Sequence, residues 1–64
     1  MHRKELYLND KLIGIAWGPS GHTITTANEK QVYSLPAGNK IKIVLVDETT
    51  NEKQVFNHNI SEQL

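Results

Sequence analysis

Apolar residues along this chain recur at every second position more often than at helical spacing, a pattern typical of half-buried β-strands. The strongest example is the run Ile-Lys-Ile-Val-Leu-Val at 41–46, which is rich in β-branched residues and contains neither glycine nor proline. The six candidate strands lie at 6–8, 12–17, around Ile24, 32–35, 41–46 and 55–60. The pattern therefore predicts a protein made almost entirely of β-strands.

Three turns of similar composition separate these strands. Residues 9–11, 28–30 and 51–53 each read Asn-acid-Lys. Asparagine tolerates a left-handed backbone, and the charged pair that follows it keeps the tip of a hairpin in water. We therefore expect an all-β fold: a small antiparallel meander of about six strands in three hairpins, forming a barrel or a two-layer sandwich.

A near-repeat supports this organisation. Thr-Thr-Ala-Asn-Glu-Lys-Gln-Val-Tyr at 25–33 returns as Thr-Thr-Asn-Glu-Lys-Gln-Val-Phe at 49–56, and a Pro-small-Gly turn stands upstream of each copy. The interpretation is a single domain, 1–64, with an internal hairpin quasi-repeat of 19–35 and 36–60. Recurrence of common turn residues by composition alone is the weaker interpretation, because the identity extends over several consecutive positions.

One segment also allows a second structure. Residues 27–35 tolerate a short helix, since Asn28-Glu29-Lys30-Gln31 is compatible with helical geometry. The β-branched neighbours and the matching Val55-Phe56 in the second copy favour a strand. The helix is therefore kept as the alternative.

Length and composition limit how such a domain gains stability. The chain has 64 residues, and its seven Lys and Arg balance seven Asp and Glu, so its formal net charge is zero. A core of this size rarely supplies more than ~3–5 kcal/mol, and small domains usually add disulfides, a metal or a partner. The chain has no cysteine, which excludes disulfides, thiolate metal sites and thiol nucleophiles. Association remains as a source of stability.

The predicted distribution of apolar residues over the two faces of the sheet also indicates association. If the last hairpin closes around 49–52, Leu45 faces Phe56 and Ile43 faces His58 on one side of the sheet. The other side of the same hairpin then presents Val44, Val46 and Val55. A domain this small can cover one face of a sheet and seldom two, so we expect a second copy of the chain to cover these valines. The prediction is a homodimer or a higher homo-oligomer.

The first hairpin offers a second contact surface. Simple alternation puts Leu6, Leu8, Ile13, Ile15 and Trp17 on one side, and Tyr7, Leu12 and Ala16 on the other. Trp17 precedes the flexible turn Gly-Pro-Ser-Gly at 18–21, where a large ring could anchor a partner. Trp17, Tyr7 and Leu12 are the candidate contacts to another protein, and the competing interpretation for the tryptophan is a place in the core.

Catalytic chemistry finds little support. The segment 16–23 resembles a phosphate-binding loop only faintly, because alanine replaces its first glycine and His22 its lysine. His2, His22 and His58 lack metal-ligand spacing, and Ser20 with His22 and Asp47 forms no recognisable triad. We predict a chain that is not an enzyme, with no catalytic, cofactor-binding or metal-binding residues and no cofactor.

The function expected from these patterns is a non-enzymatic protein-interaction or structural-assembly module that acts as a homo-oligomer. The alternative is a small β-barrel that binds single-stranded nucleic acid, with Trp17, Tyr7, Tyr33 and Phe56 as stacking platforms. A net charge of zero disfavours nucleic acid. The absence of a signal peptide, a membrane-spanning apolar run and cysteine favours a cytoplasmic protein without a membrane partner.

Overall fold

Two hairpins lie side by side in the computed structural model, which describes residues 1–21 and 23–61. The elements are β1 (His2–Leu8), β2 (Lys11–Gly18), the short helix α1 (Glu29–Val32), β3 (Lys40–Asp47) and β4 (Glu52–Asn59). The strands form one antiparallel sheet in the order β2-β1-β3-β4. The predicted all-β antiparallel class is confirmed. The described chain has four strands in an open sheet, so the six strands and the barrel are not confirmed.

The first hairpin turns through two residues. Asn9 and Asp10, with φ angles of 50° and 69°, both adopt the left-handed conformation that a two-residue type I′ turn requires. Asparagine and aspartate are the side chains that tolerate this conformation best after glycine. The turn predicted from the Asn-acid-Lys motif is therefore present.

A bulge in β2 changes which residues share a face. Leu6 pairs with Gly14, whereas Tyr7 pairs with Leu12, so Ile13 is the extra residue in the ladder. One extra residue shifts the two-residue alternation by one position. Ile15 and Trp17 therefore lie on the side of Tyr7 and Leu12, and the alternation predicted through this strand is wrong beyond Ile13.

The second hairpin closes through residues 48–51. Asn51, with a φ of 62°, is left-handed, and its N–H donates to the carbonyl of Asp47 at 2.7 Å. Ile43 pairs with Phe56 and Val44 with Val55, so the register differs by two residues from the predicted one. A two-residue difference keeps every side chain on its predicted face.

The segment between the hairpins does not form the strands predicted around Ile24 and at 32–35. Residues 19–21 and 23–39, called here the covering segment, contain one helical turn, α1, and lie across one face of the sheet. Val32 of α1 packs with Leu6 and Ile41 in the buried core. The helix kept as the alternative is the structure that forms, and a repeated hairpin is not supported.

The covering segment approaches the sheet closely over β2. A Cβ added at Gly14 would lie 2.6 Å from Oδ1 of Asn28, and one at Gly18 would lie 2.8 Å from a side-chain carbon of Ile24. Both glycines are therefore needed for this close packing. Lys4, on the same face, forms an ion pair with Glu29 of α1, and its ammonium donates to the carbonyl of Ile24 at 3.1 Å.

Candidate interaction surface

The face of the sheet opposite the covering segment, called here the open face, carries the candidate site. Residues that pair across antiparallel strands point to the same side, so the register defines this face directly. From β2 to β4, its rows are Trp17–Arg3–Val46–Lys53, Ile15–Glu5–Val44–Val55 and Leu12–Tyr7–Lys42–Asn57. No described helix or strand packs over these rows.

The residues predicted as contacts from the sequence all lie on this face. They are Val44, Val46, Val55, Trp17, Tyr7 and Leu12. The bulge is what brings Trp17 to the side of Tyr7 and Leu12. The structure thus places the predicted oligomer contacts and the predicted partner contacts on one continuous surface.

The three valines differ in exposure. Val46 and Val44 are 3% and 8% exposed, whereas Val55 is 54% exposed. Both buried valines are on β3, in the middle of the sheet: Val46 is flanked by Arg3 and Lys53, and Val44 by Glu5 and Val55. The expectation that a lone chain leaves all three valines in water therefore applies to Val55 alone.

A polar row runs along β1 through the centre of the open face. The Arg3 guanidinium contacts Glu5 at 2.9 Å and Glu48 at 3.0 Å. The Tyr7 hydroxyl donates to the other oxygen of Glu5 at 2.9 Å, and the Lys42 ammonium lies 4.6 Å from the centre of the Tyr7 ring. The hydrogen bond to Glu5 raises the pKa of Tyr7 above its ordinary value. The charges of this row thus neutralise one another.

Apolar side chains flank the polar row on both sides. On β2, Leu12, Ile15 and Trp17 are each about half exposed, and on β4 Val55 is too. Ile15 is the residue that the sequence pattern misses, because uninterrupted alternation assigns it to the core side. The isolated Gly14 is the sequence signal of the bulge, and the pairing of β2 with β1 fixes its place.

A separate cavity of about 230 Å³ lies at one end of the covered face. It is lined by His2, Ser20, Gly21, Leu45, Asp47, Glu52 and Gln54. His2 Nε2 stands 3.7 Å from Asp47, longer than a hydrogen bond. The Thr49 N–H donates to the Asp47 carboxylate at 2.9 Å, and this bond is the main reason that the pKa of Asp47 is lowered.

The described histidines have different surroundings. A triad needs an imidazole hydrogen-bonded between its carboxylate and its nucleophile, and the His2–Asp47 distance does not provide this. His22, the histidine considered from the sequence, lies outside the described residues. His58 lies against the Tyr33 ring, with 5.5 Å between the ring centres. Within residues 1–21 and 23–61, no group of three acidic or histidine side chains is placed to hold a metal ion.

No protein-family model matches the chain, and no curated protein or solved structure is significantly similar to it. Among the described residues, no helix has the length and apolar character needed to cross a membrane.

Proposed function

We propose that this chain is a non-enzymatic protein-interaction or structural-assembly module that acts as a homo-oligomer. The observation that carries the proposal is the open face, where four large apolar side chains remain about half exposed with no described element over them. Exposed apolar side chains on one strand, as Leu12, Ile15 and Trp17 are on β2, are typical of a binding site on a small domain. Covering it contributes roughly 25 cal/mol for each Å² of apolar surface removed from water.

The exposed surface of the chain is large enough for such a contact. A stable interface buries ~800 Å² on each partner, and the chain exposes 4730 Å² in all. Such a contact would take about one sixth of the exposed surface of the chain. The gain is large for a domain whose own core contributes only a few kcal/mol.

The polar row of β1 divides the open face into two parts with different roles in this proposal. The β4 side, where Val55 borders the buried Val44 and Val46, contacts a second copy of the chain. The β2 side, with Trp17, Leu12 and Ile15 along an edge strand, contacts another protein. Tyr7, held by Glu5 and Lys42, lies in the boundary between the two parts.

The nucleic-acid alternative has one observation in its favour, because Trp17 and Tyr7 share a face with Arg3 and Lys42. Stacking platforms beside cations are typical of single-strand binding. However, Arg3 is already paired with two carboxylates. A phosphate would have to displace Glu5 and Glu48, so protein is the partner that this face fits better.

Sedimentation velocity over a range of concentrations tests self-association. We expect a dimer or larger species at tens of micromolar, and a monomer throughout that range would contradict the proposal. Val55→Lys should weaken the association because it places a charge in the contact. Gln31→Lys, at an exposed position on the covering segment, is the matched control and should change nothing.

Fluorescence tests the division of the face, because Trp17 is the single tryptophan of the chain. Its emission should remain that of an exposed indole while the dimer forms, and a blue shift on dimerisation would place the β2 side in the self-contact. A labelled single-stranded oligonucleotide at low salt should not bind. Binding that weakens steeply with added salt would instead favour the nucleic-acid alternative.

A further inference from the structure

The two edge strands of the sheet differ in how readily they can accept another strand. β2 carries the bulge at Ile13, and the carbonyl of Ile13 already accepts a hydrogen bond from the Asn28 amide at 2.7 Å. β4 pairs with β3 over eight residues in an unbroken register and has no proline or glycine. All of its residues are exposed. Bulges and covering groups protect an edge from pairing, so β4 is the open edge.

The pattern of hydrogen bonds shows which backbone groups of β4 point outward. The N–H of Ile60 donates to Asn39 at 2.9 Å, and its carbonyl accepts from Gly38 at 3.0 Å, so residue 60 bonds toward the β3 side. Bonding sides alternate along an antiparallel strand. The outward N–H and C=O groups are therefore those of Lys53, Val55, Asn57 and Asn59.

We propose that β4 pairs antiparallel with β4 of a second copy, about a two-fold axis that passes beside Val55, to form one continuous eight-stranded sheet. This inference rests on the proposed function and specifies how the copies meet: the self-contact runs along the β4 edge and covers Val55, while the apolar side chains of β2 at the far edge stay uncovered for another protein. The faces of the sheet continue across such an axis, so the open faces of both copies lie on the same side.

The sequence of β4 is complementary to itself in this register. Val55 faces Val55 of the second copy, and the row from Val44 continues across the axis as an apolar row. The other facing pairs are Lys53 with Asn57, Gln54 with Phe56 and Glu52 with His58. No like charges stand opposite each other, and the acid Glu52 meets an imidazole. In this register, outward N–H and C=O groups of one copy face those of the other: Val55 faces Val55, and Lys53 faces Asn57.

A register centred on Phe56, shifted by two residues, brings fewer complementary side chains opposite each other. Phe56 would then face itself, and Lys53 would face Asn59. Glu52 would pass beyond the end of the facing β4 strand and lose its imidazole neighbour. The apolar row would break, because Val55 would face Asn57. The register centred on Val55 is therefore the one that the pattern of charge and apolar residues favours.

Cysteine cross-linking tests the register cleanly because the chain has no cysteine of its own. Across the proposed axis, two copies of residue 55 lie ~5.5 Å apart at Cα, within the range of a disulfide. Two copies of residue 53 lie four residues out of step, roughly 13 Å along the strand. Val55→Cys should form a disulfide-linked dimer roughly tenfold faster than Lys53→Cys, which serves as the control on the same strand and face.

Three other cross-linking results would each overturn the proposal. Equal rates for Val55→Cys and Lys53→Cys would mean random collision. Fastest cross-linking of Phe56→Cys would mean the shifted register. Fastest cross-linking of Trp17→Cys would mean that the copies meet at β2. In each case a wild-type dimer in the centrifuge would leave the proposed function standing, whereas a wild-type monomer would overturn both.

A proline variant tests the edge by a second route. Asn57→Pro removes an outward N–H and leaves the bonds to β3 intact, as proline does when it is tolerated on an edge strand. We expect Asn57→Pro to keep the circular-dichroism spectrum of the sheet and to sediment as a monomer where the wild type is a dimer. A folded Asn57→Pro that still dimerises would overturn the edge pairing. If the variant unfolds, the cross-linking rates decide.

Discussion

Residues 25–33 and 49–56 carry nearly the same sequence and adopt different structures. In the first copy, Glu-Lys-Gln-Val forms the helix α1, and in the second the same four residues begin β4. Val32 is 5% exposed in the core, whereas its counterpart Val55 is 54% exposed on the open face. Glu29 pairs with Lys4, while Glu52 is exposed near the tip of a hairpin. The local sequence permits both structures, and its surroundings select between them.

The residues before each copy provide one part of that selection. The second copy follows β3, a strand that offers a free edge as soon as the chain turns back. At the start of this turn, the Asp47 carboxylate accepts the N–H of Thr49 at 2.9 Å. The corresponding position before the first copy is Thr23, whose hydroxyl donates instead to the carbonyl of Ser20. The first copy follows β2, whose free edge is interrupted by the bulge at Ile13, and it lacks the carboxylate that starts the turn.

The residues after each copy provide the other part. Pro36 stands four residues beyond Val32, where the second copy has Asn59. Proline has no N–H to donate to a ladder, which limits any strand formed by the first copy to a few residues. A short helix satisfies its own backbone and lets Val32 reach the core. Burial of Val32 between Leu6 and Ile41 then favours the helix over a short strand.

The matched valines give the largest expected difference between the copies. Val→Thr keeps the shape of the side chain and adds one hydroxyl, so it isolates the effect of burial. Val32→Thr should lower the free energy of unfolding by about 2 kcal/mol because the hydroxyl enters the core, a drop in melting temperature of roughly 10 °C. Val55→Thr should stay within about 0.5 kcal/mol of wild type at concentrations where the chain is monomeric. Urea unfolding followed by circular dichroism measures both.

Equal losses from these two substitutions would contradict the assignment of one copy to the core and the other to an exposed strand. Thr26→Val provides a complementary check on the covering segment. Its hydroxyl is buried and has no hydrogen-bond partner among the described residues. Removing the hydroxyl should therefore not destabilise the protein.

The matched asparagines should respond in opposite directions to glycine. Asn28→Gly removes the hydrogen bond to the Ile13 carbonyl and adds backbone freedom, which together cost about 1.5 kcal/mol. Asn51→Gly should be neutral or stabilising by up to about 0.5 kcal/mol, because the left-handed φ at this position suits glycine. Unfolding free energies of the two single variants test this, and a loss at Asn51 as large as at Asn28 would contradict the turn geometry.

These two copies also show how much of the fold the sequence predicts. Alternation and the asparagine turns at 9–11 and 51–53 predict the two observed hairpins, whereas the hairpin turn predicted at 28–30 is wrong because α1 begins there. The even offset in the β3–β4 register leaves the faces correct. The bulge at Ile13 is different, because the isolated Gly14 beside it is compatible with a bulge or with close approach of another segment, and its exact place appears when β2 pairs with β1. The helix was an open alternative. It depends on Val32 reaching Leu6 and Ile41, which lie far from it along the chain.

The candidate surface, too, is predicted from the sequence only in part. The sequence predicts Trp17, Tyr7 and Leu12 as contacts, and they lie together on the open face. Alternation assigns Ile15 to the wrong side because the bulge interrupts it. Alternation also gives no sign that Val46 is almost fully buried, since this depends on the place of β3 between β1 and β4. Pattern alone identifies which residues are apolar, and three-dimensional neighbours decide which of them remain exposed.

The smallest expected effect concerns Asp47, whose corresponding position before the first copy is Thr23. Its pKa is lowered in the folded chain, mainly by the Thr49 N–H, from an ordinary value of 3.8. A lowered pKa stabilises the fold above the unfolded-state value, and that stability is lost as pH falls through the folded-state value. Asp47→Asn should therefore be less stable than wild type at neutral pH, and the difference should close below about pH 4.

Comparing the two proteins isolates this carboxylate, because every other acidic group titrates in both. Urea unfolding of wild type and Asp47→Asn at matched pH values measures the difference directly. Thr23→Asp, which introduces the carboxylate into the first copy, is the reciprocal variant. If Asp47 acts by starting the hairpin turn, Thr23→Asp should not produce the same pH dependence, since α1 offers no such turn to stabilise. A stability difference at Asp47 that persists unchanged into acid would contradict the role assigned to its charge.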